Sequence, residues 1–242
     1  MHAKLDGGPG DEVTRSCHGV PVEEGGGAKG RNWEEEGKCE RTMGKLEDIR
    51  GEGEDRIFAF EPVPRIFEVL SRNLQGVQGL VPKRFGLAAQ ASVRTPFFFF
   101  EDCPGESTRR LEEGQRQRAI VNPQASAGVP CVGELRVLSE VMRQENIQKV
   151  QLLKVDVEGD ELDVLMGLHD CDWPKIQQVA VEVHDIEFRV SRIRALLERH
   201  GFKVQIEEQK TAWHDGMLIC VPKDLLLYYV YASRPCTGRD VS

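Results

Sequence analysis

One stretch, VQLLKVDVEGDELDVL at residues 150–165, constrains the fold more than any other part of the chain. It begins as a run of apolar and β-branched residues, turns acidic at Asp156 and Glu158, and continues with apolar residues at helical spacing. The pattern predicts a strand that enters a helix through an acidic turn. Ligands of open α/β sheets bind at the carboxyl ends of the strands, and residues two apart share one side of a strand. The two carboxylates are therefore candidates for chemistry.

From residue 56 onward, predicted strands alternate with predicted helices. Apolar or alternating patterns predict strands at residues 56–60, 84–89, 96–102, 135–138, 150–155, 176–183, 202–206, 217–221 and 226–232. Helical spacing predicts helices that begin near residues 64, 139, 160 and 190. We therefore expect an α/β fold with a doubly wound, mostly parallel sheet and an antiparallel hairpin at its end. The four phenylalanines at residues 97–100 predict that their strand is buried.

The composition divides the chain into three predicted regions. Residues 1–55 hold 12 of the 24 glycines and few apolar residues, which predicts a disordered or loosely ordered leader. Residues 56–235 form the predicted domain, and residues 236–242 form a tail. Within the domain, residues 103–129 make a long polar connection, and connections of that length are often lids or binding loops.

Charge and cysteine content narrow the class of function. The 242-residue chain has a net charge of −8, which argues against nucleic-acid binding through a basic face, although the arginine-rich residues 109–118 can hold an anion. The seven cysteines form no CxxC pair, which favours a reducing compartment. No apolar run approaches the ~18 residues that span a bilayer. We expect a cytoplasmic protein that acts on a small molecule, without nucleic acid or membrane; the oligomeric state stays open.

Glu61 stands at the end of the first strong strand, before Pro62 and Pro64, which favour the start of a helix. A carboxylate offers two acceptors in the plane of the cis-diol that a ribose presents, so Glu61 is a candidate nucleotide-binding residue. The alternative is an acidic strand end that caps the helix from Pro64.

The acidic turn has a similar alternative, because Asp156 and Glu158 can cap the helix that begins at Asp160. Asp160 and Glu161 can fill that role alone, so the two upstream carboxylates favour a functional interpretation. Lys154 lies two residues before Asp156 on the same face and is placed to pair with it.

A second pair, Glu182 and His184, ends the strand predicted at residues 176–183. Histidine suits proton transfer near neutral pH, so His184 is a candidate general base for a hydroxyl acceptor. The alternative is a structural histidine that is hydrogen-bonded at a strand end. A further alternative is a divalent metal held by the nitrogen and oxygen ligands of all four groups. Neither pair has a spacing diagnostic of a metal, so we predict no metal site.

Several runs, in this order, resemble the FkbM family of S-adenosylmethionine-dependent methyltransferases. They are FAFEPVPRIFEVLSRNL (58–74), FGLAA (85–89), PGEST (104–108), VLSEVMRQENI (137–147), VQLLKVDVEGDELDVLMGL (150–168) and WPKIQQVAVEVHD (173–185). The resemblance is closest to members found alone or within polyketide and nonribosomal-peptide assembly lines. The EPVP and KVDVEGDE blocks together make it specific.

The resemblance implies a Rossmann-like methyltransferase sheet that binds S-adenosylmethionine at its carboxyl edge. The cofactor-binding residues that it implies are Glu61 (on the ribose), Pro62, Leu87 and Asp156. The implied catalytic residues are Asp156, Glu158 and His184, and the implied acceptor-binding residues are Ser107, Glu182 and His184. The implied reaction methylates a hydroxyl of a small molecule or assembly-line intermediate, with orientation of donor and acceptor as the main contribution of the protein.

The chain departs from the family upstream of residue 56. Family members carry a strand and a glycine-rich D-x-G-x-N-x-G turn there, whose small residues let the backbone approach the cofactor. Because the leader stands in that place, we expect the first strand-helix unit to be missing or replaced. The chain is then a truncated or misjoined methyltransferase, a variant that binds the cofactor poorly, or a catalytically silent binding module. A dehydrogenase would also lack its glycine fingerprint and explains the DVEGDE block less well.

Overall fold

The computed structural model describes residues 56–121, 127–214, 217–220, 225 and 227–235. The predicted leader and the predicted tail lie outside the described residues. The described helices are α1 (Pro64–Asn73), α2 (Leu111–Val121), α3 (Leu138–Gln144), α4 (Glu161–Met166) and α5 (Arg189–Arg199), with short 3-10 helices at Pro104–Glu106 and Trp173–Lys175. No helix in these ranges is long and apolar enough to cross a membrane.

The strands of the described ranges form four sheets. They are β1 (Ile57–Phe60), β2 (Leu80–Lys83), β3 (Gly86–Ala88), β4 (Ser92–Phe99), β5 (Val129–Val137), β6 (Val150–Val155), β7 (Ile176–His184), β8 (Lys203–Glu208), β9 (Thr211–His214), β10 (Met217–Cys220) and β11 (Leu227–Ser233). The sheet orders are β1-β2, β3-β5-β4, β6-β7-β11-β8 and β9-β10.

Strand directions correct the prediction of one mostly parallel sheet. The pairs β1/β2, β3/β5 and β6/β7 are parallel, whereas β4/β5, β7/β11, β8/β11 and β9/β10 are antiparallel. β4 follows β3 too closely for a crossover that would keep the chain direction, and β11 follows the β9-β10 hairpin instead of a helix. The α/β class is confirmed, and the sheets are mixed.

The polar connection predicted at residues 103–129 is also corrected, because it contains a 3-10 helix and α2. The sequence of α2, LEEGQRQRAIV, has charged residues on most sides and therefore lacks the apolar stripe that reveals a helix. Strands β2 and β9 were not predicted either. β2 contains Pro82, and a proline in an apolar run argues against a strand because it has no backbone N–H to donate.

The main core lies between the four-stranded sheet and helices α3, α4 and α5. Leu165, Ile176, Ile193 and Leu197 are fully buried there. A smaller cluster packs on the three-stranded sheet and consists of Val63, Ala88, Phe97, Phe99 and Leu135. The predicted burial of the phenylalanine strand is confirmed, because three of its four phenylalanines are buried and the fourth is half-buried.

Candidate functional site

A cavity lies beside the carboxyl ends of β1 and β6. Four residues predicted from the sequence line it: Glu61, Pro62, Leu87 and Ser107. Three neighbours of the acidic turn also line it: Lys154, Val155 and Val157. The remaining lining is mostly apolar and includes Val63, Phe97, Leu135 and Val164. The fold thus brings the ends of the two predicted strands to one cavity, and we call Glu61, Pro62 and Leu87 its β1 wall.

Glu61 is a buried carboxyl in this wall, with 3% of its surface exposed. Its Oε1 accepts a hydrogen bond of 2.7 Å from the backbone N–H of Val63, the residue before α1. Burial raises the pKa of Glu61 to about 7, and the Val63 hydrogen bond opposes that rise. The contact at the helix start agrees with the capping interpretation, and it also holds the carboxyl in place at the cavity.

The acidic turn after β6 has an unusual backbone. Glu158 has a φ of 52° and Gly159 a φ of 110°, so a non-glycine residue occupies the left-handed region inside the turn. The Gly159 N–H donates to Oε1 of Glu161, 2.6 Å away. A Cβ on Gly159 would lie 2.9 Å from Cδ of Arg110. Surrounding contacts therefore hold a conformation that is costly by itself.

The other predicted residues form what we call the acidic cluster: Asp156, Glu158, Glu182 and His184. They are not among the lining residues, but Asp156 lies in the chain between Val155 and Val157, which are. Oδ2 of Asp156 is 3.2 Å from Nζ of Lys154, and Oε2 of Glu158 is 3.9 Å from Nε2 of His184. Because Lys154 lines the cavity and pairs with Asp156, it connects the cavity to the acidic cluster.

Burial sets the protonation of this cluster. The pKa of Glu158 is raised well above its usual value, first by burial and then by the charges of Asp156 and Glu182. The pKa of His184 is lowered to about 4, first by burial and then by the cation of Arg189. His184 is therefore a neutral imidazole at physiological pH. Its Nδ1 is buried and makes no hydrogen bond to any described residue.

The segment that the sequence predicted as a lid or binding loop covers the acidic turn. Oγ1 of Thr108 donates to the carbonyl of Glu158 over 2.7 Å. Ion pairs then join the segment to α4 and α5: Arg109 with Asp160 and Asp163, Arg110 with Asp160, and Glu113 with Arg189. These two arginines, like Arg118 with Asp102 and Glu106, are paired with carboxylates, which disfavours the predicted anion site.

Sequence reasoning missed Arg189 and Glu113. Arg189 is buried and donates to the backbone carbonyl of His184 over 2.8 Å, and Glu113 reaches it from α2. One signal was available, because a cation in the first turn of α5 opposes the helix dipole and calls for another explanation. Among the described residues, no group of three or more His, Cys, Asp or Glu side chains is arranged to hold a metal.

Comparison with known proteins finds related sequences. The model of the "Methyltransferase FkbM domain" matches residues 35–204. Methyltransferase sdnD of Sordaria araneosa is 34% identical over 169 residues, which cover 62% of this chain and 65% of that protein. The 31-O-demethyl-FK506 methyltransferase FkbM of Streptomyces tacrolimicus is 46% identical over 171 residues, which cover 63% of this chain and 65% of that protein.

A more distant relative is the hexuronic acid methyltransferase AglP of Haloferax volcanii, 28% identical over 129 residues, 53% of this chain and 47% of that protein. The chain thus spans 65% of the length of sdnD and of FkbM. No solved structure matches the chain significantly.

Proposed function

We propose, from the premise that this chain belongs to the FkbM methyltransferase family, that it transfers a methyl group from S-adenosylmethionine to a hydroxyl. The acceptor that we propose is a small molecule or an assembly-line intermediate. One observation carries the proposal: the buried carboxyl of Glu61 lines the same cavity as the residues that flank the acidic turn. The relative from Streptomyces tacrolimicus is a 31-O-demethyl-FK506 methyltransferase, which supports an oxygen acceptor.

The cavity has the chemistry that this cofactor needs. Glu61 offers a carboxylate to the hydroxyls of a ribose, and Pro62 and Leu87 offer apolar surface. Leu135 packs directly against Gly86, since a Cβ on Gly86 would lie only 2.9 Å from Cδ2 of Leu135. The wall is therefore closely packed at this glycine. Carboxylates near the cavity suit a positively charged sulfonium. The residues present therefore fit the cofactor.

S-adenosylmethionine supplies an electrophilic methyl group when it is bound. A hydroxyl that accepted this methyl group would have to give up its proton to a group of the protein. We assign that proton to His184, whose neutral ring has a buried nitrogen without a hydrogen bond to the described residues. Asp156 and Glu158 flank the transfer, and Ser107, Glu182 and His184 bind the acceptor.

The finer fold is part of the proposal. Strands β1 and β6, each a member of a parallel pair, both end at the cavity, which supports one Rossmann-like sheet within a domain at residues 56–235. The cysteine pattern supports a cytoplasmic location.

A second candidate function is a catalytically silent binding module. It is favoured by one observation, because no D-x-G-x-N-x-G turn precedes residue 56 in this sequence. Such a module keeps the α/β domain and the acidic cluster and lacks a productive donor site.

Isothermal titration of the full chain with S-adenosylmethionine tests the proposal. We expect saturable heat and thermal stabilisation in the wild type and a loss of both in Glu61→Gln. Glu101→Gln is the matched control, since that carboxylate is 61% exposed and pairs only with Arg65 among the contacts of the described residues. If the folded, monodisperse wild type gives no heat, cofactor binding is rejected and the catalytically silent binding module remains as the candidate function.

A further inference from the structure

Arg189 is the centre of a buried network that joins three elements of the site. Its side chain is 7% exposed. Nη1 donates to the carbonyl of His184 over 2.8 Å and lies 3.5 Å from Oε2 of Glu161, while Nη2 donates to Oε2 of Glu113 over 3.0 Å. One guanidinium therefore contacts the end of β7, the start of α4 and the covering helix α2. A planar fork with several donors suits such a junction better than an ammonium does.

Glu161 continues the network to the acidic turn. Its side chain is fully buried, and its Oε1 accepts the hydrogen bond from Gly159. Gly159 follows Glu158 in the left-handed backbone of the turn. The chain of contacts thus runs from the backbone of His184 through Arg189 and Glu161 to the backbone beside Glu158.

Helix stability does not account for these residues. A cation in the first turn of α5 is unfavourable, and that turn contains no acidic residue. The two residues before it, Glu187 and Phe188, both have positive φ, and 78% of the surface of Phe188 is exposed. A strained entry into a helix persists only where the surroundings fix it. The contacts of Arg189 fix this entry together with Asp185, whose Oδ1 accepts a hydrogen bond of 2.9 Å from the backbone N–H of Val190.

We infer that Arg189 and Glu161 are positioning residues, which together hold the backbone of His184 and the Glu158 turn at a fixed separation for methyl transfer. The inference rests on the proposed function for its role, but the positioning itself is a property of this chain alone. Arg189 also contributes to the charge around His184, which is faced by Asp156 and Glu158 from the acidic turn and by Glu113 from α2.

The first readout needs no cofactor. Histidine ring resonances of the full chain are followed by NMR against pH, and His184→Asn assigns the His184 signal. We expect His184 to titrate near pH 4 in the wild type and at higher pH in Arg189→Met, because a cation that opposes protonation is removed. In Arg189→Lys the cation remains, so the titration should stay near the wild-type value.

The second readout is kinetic. We expect both Arg189 variants to lower kcat by about 100-fold, since a small misplacement of reacting groups costs that much, while affinity for S-adenosylmethionine changes less than about twofold. Arg189→Lys loses kcat because an ammonium cannot span His184 and Glu113 in the same way. If Arg189→Met fails to fold, the Arg189→Lys variant still allows the kinetic measurement. Glu161→Gln, which keeps an acceptor for Gly159, should lose less kcat than Glu161→Ala.

Arg234→Met is the matched control. Arg234 donates to the carbonyls of Ile176, His200 and Trp173 and so makes comparable backbone contacts at the opposite end of β7. It should lower stability without moving the His184 titration or kcat. An unchanged His184 titration in Arg189→Met, unchanged kcat in Arg189→Lys, or an equal loss of kcat in Arg234→Met overturns the inference. A wild type without methyl transfer overturns the proposed function, and the NMR titration still decides the positioning.

Discussion

The β1 wall lines the cavity, the acidic cluster is connected to the cavity through Lys154, and the protein holds these two regions differently. Next to the acidic cluster, α5 buries Arg189, Val190, Ile193 and Leu197; Arg110, just before α2, pairs with Asp160 at the end of the turn, and Glu113 of α2 pairs with Arg189. Next to the β1 wall, α1 has an apolar face, but none of its residues, which are all described, is buried. The helix beside the acidic cluster is therefore packed more firmly than the helix beside the β1 wall, and α1 has more to gain from a bound ligand.

The difference assigns distinct tasks to the two regions. A catalytic group must be placed before the substrate arrives, and the acidic cluster meets that condition through buried partners. A ligand-binding carboxyl can be stabilised on binding, as expected for Glu61, whose pKa is raised by burial. Mutations in the acidic cluster should mainly change turnover, and mutations in the β1 wall should mainly change affinity and stability.

The largest expected effect is on turnover, from Asp156→Ala. The side chain is 19% exposed and pairs with a half-exposed lysine, so its removal should cost less than about 1 kcal/mol of stability. Methyl transfer should fall by at least about 100-fold. Radiolabelled methyl transfer and thermal unfolding measure the two quantities. Glu207→Ala, an exposed carboxylate on β8, is the control, and unchanged turnover in Asp156→Ala would remove Asp156 from the site.

The packing difference is tested with one substitution in two helices. Leu197→Ala in α5 removes a fully buried side chain and should cost about 2–5 kcal/mol of unfolding free energy. Leu70→Ala in α1 removes a half-buried one and should cost on the order of 1–2 kcal/mol. Urea unfolding of both variants measures the difference. Equal losses would show that α1 is packed as tightly as α5.

Glu61 should make stability and affinity depend on pH in opposite directions. Its pKa is raised from 4.5 to about 7, so ionisation in the folded state is unfavourable and stability falls as pH rises through this window. Glu61→Gln should remove a penalty on the order of 2–3 kcal/mol at pH above 7 and change little at pH below 4.5. Urea unfolding across this pH range measures the change in stability.

The affinity of the wild type for S-adenosylmethionine should rise with pH, since the carboxylate is a better hydrogen-bond acceptor than the protonated acid. An affinity that does not depend on pH would argue against ribose binding by Glu61.

The sequence predicted the parts of the site that depend on local pattern. The acidic turn and Glu61 each follow an apolar strand, and that change of pattern is visible in one short window. The ion pairs made by the segment that leads into α2 could not be predicted in that way. Arg109 lies 51 residues before Asp160, and an ion pair over such a separation leaves no periodic trace. The direction of β11 was equally hidden, because it depends on a hairpin whose first strand was not predicted.

His184 should make turnover insensitive to pH in the neutral range. Its pKa is lowered from 6.5 to about 4, so the ring stays neutral above that value and turnover should show no histidine titration near pH 6.5. Stability should fall as pH drops from 6.5 towards 4, because the folded state resists protonation of this ring. A pH profile of kcat in wild type and His184→Asn measures the first effect. A wild-type titration near pH 6.5 that disappears in the variant would show that His184 is accessible to protons.

The smallest expected effect belongs to Ser107, which lies between the two regions. Its Oγ accepts a hydrogen bond of 3.3 Å from the backbone N–H of Phe100, and the residue lines the cavity near α2. If Ser107 binds the acceptor, Ser107→Ala should raise KM for the acceptor about three- to tenfold, in line with one neutral hydrogen bond, and leave kcat unchanged. The control is Ser92→Ala, at the start of β4. Ser139→Ala would be a poor control, because the Ser139 hydroxyl is buried. A fall in kcat without a change in KM would instead place Ser107 among the groups that organise the acidic cluster. The division between a region that controls affinity and a region that controls turnover would then be less complete than the contacts indicate.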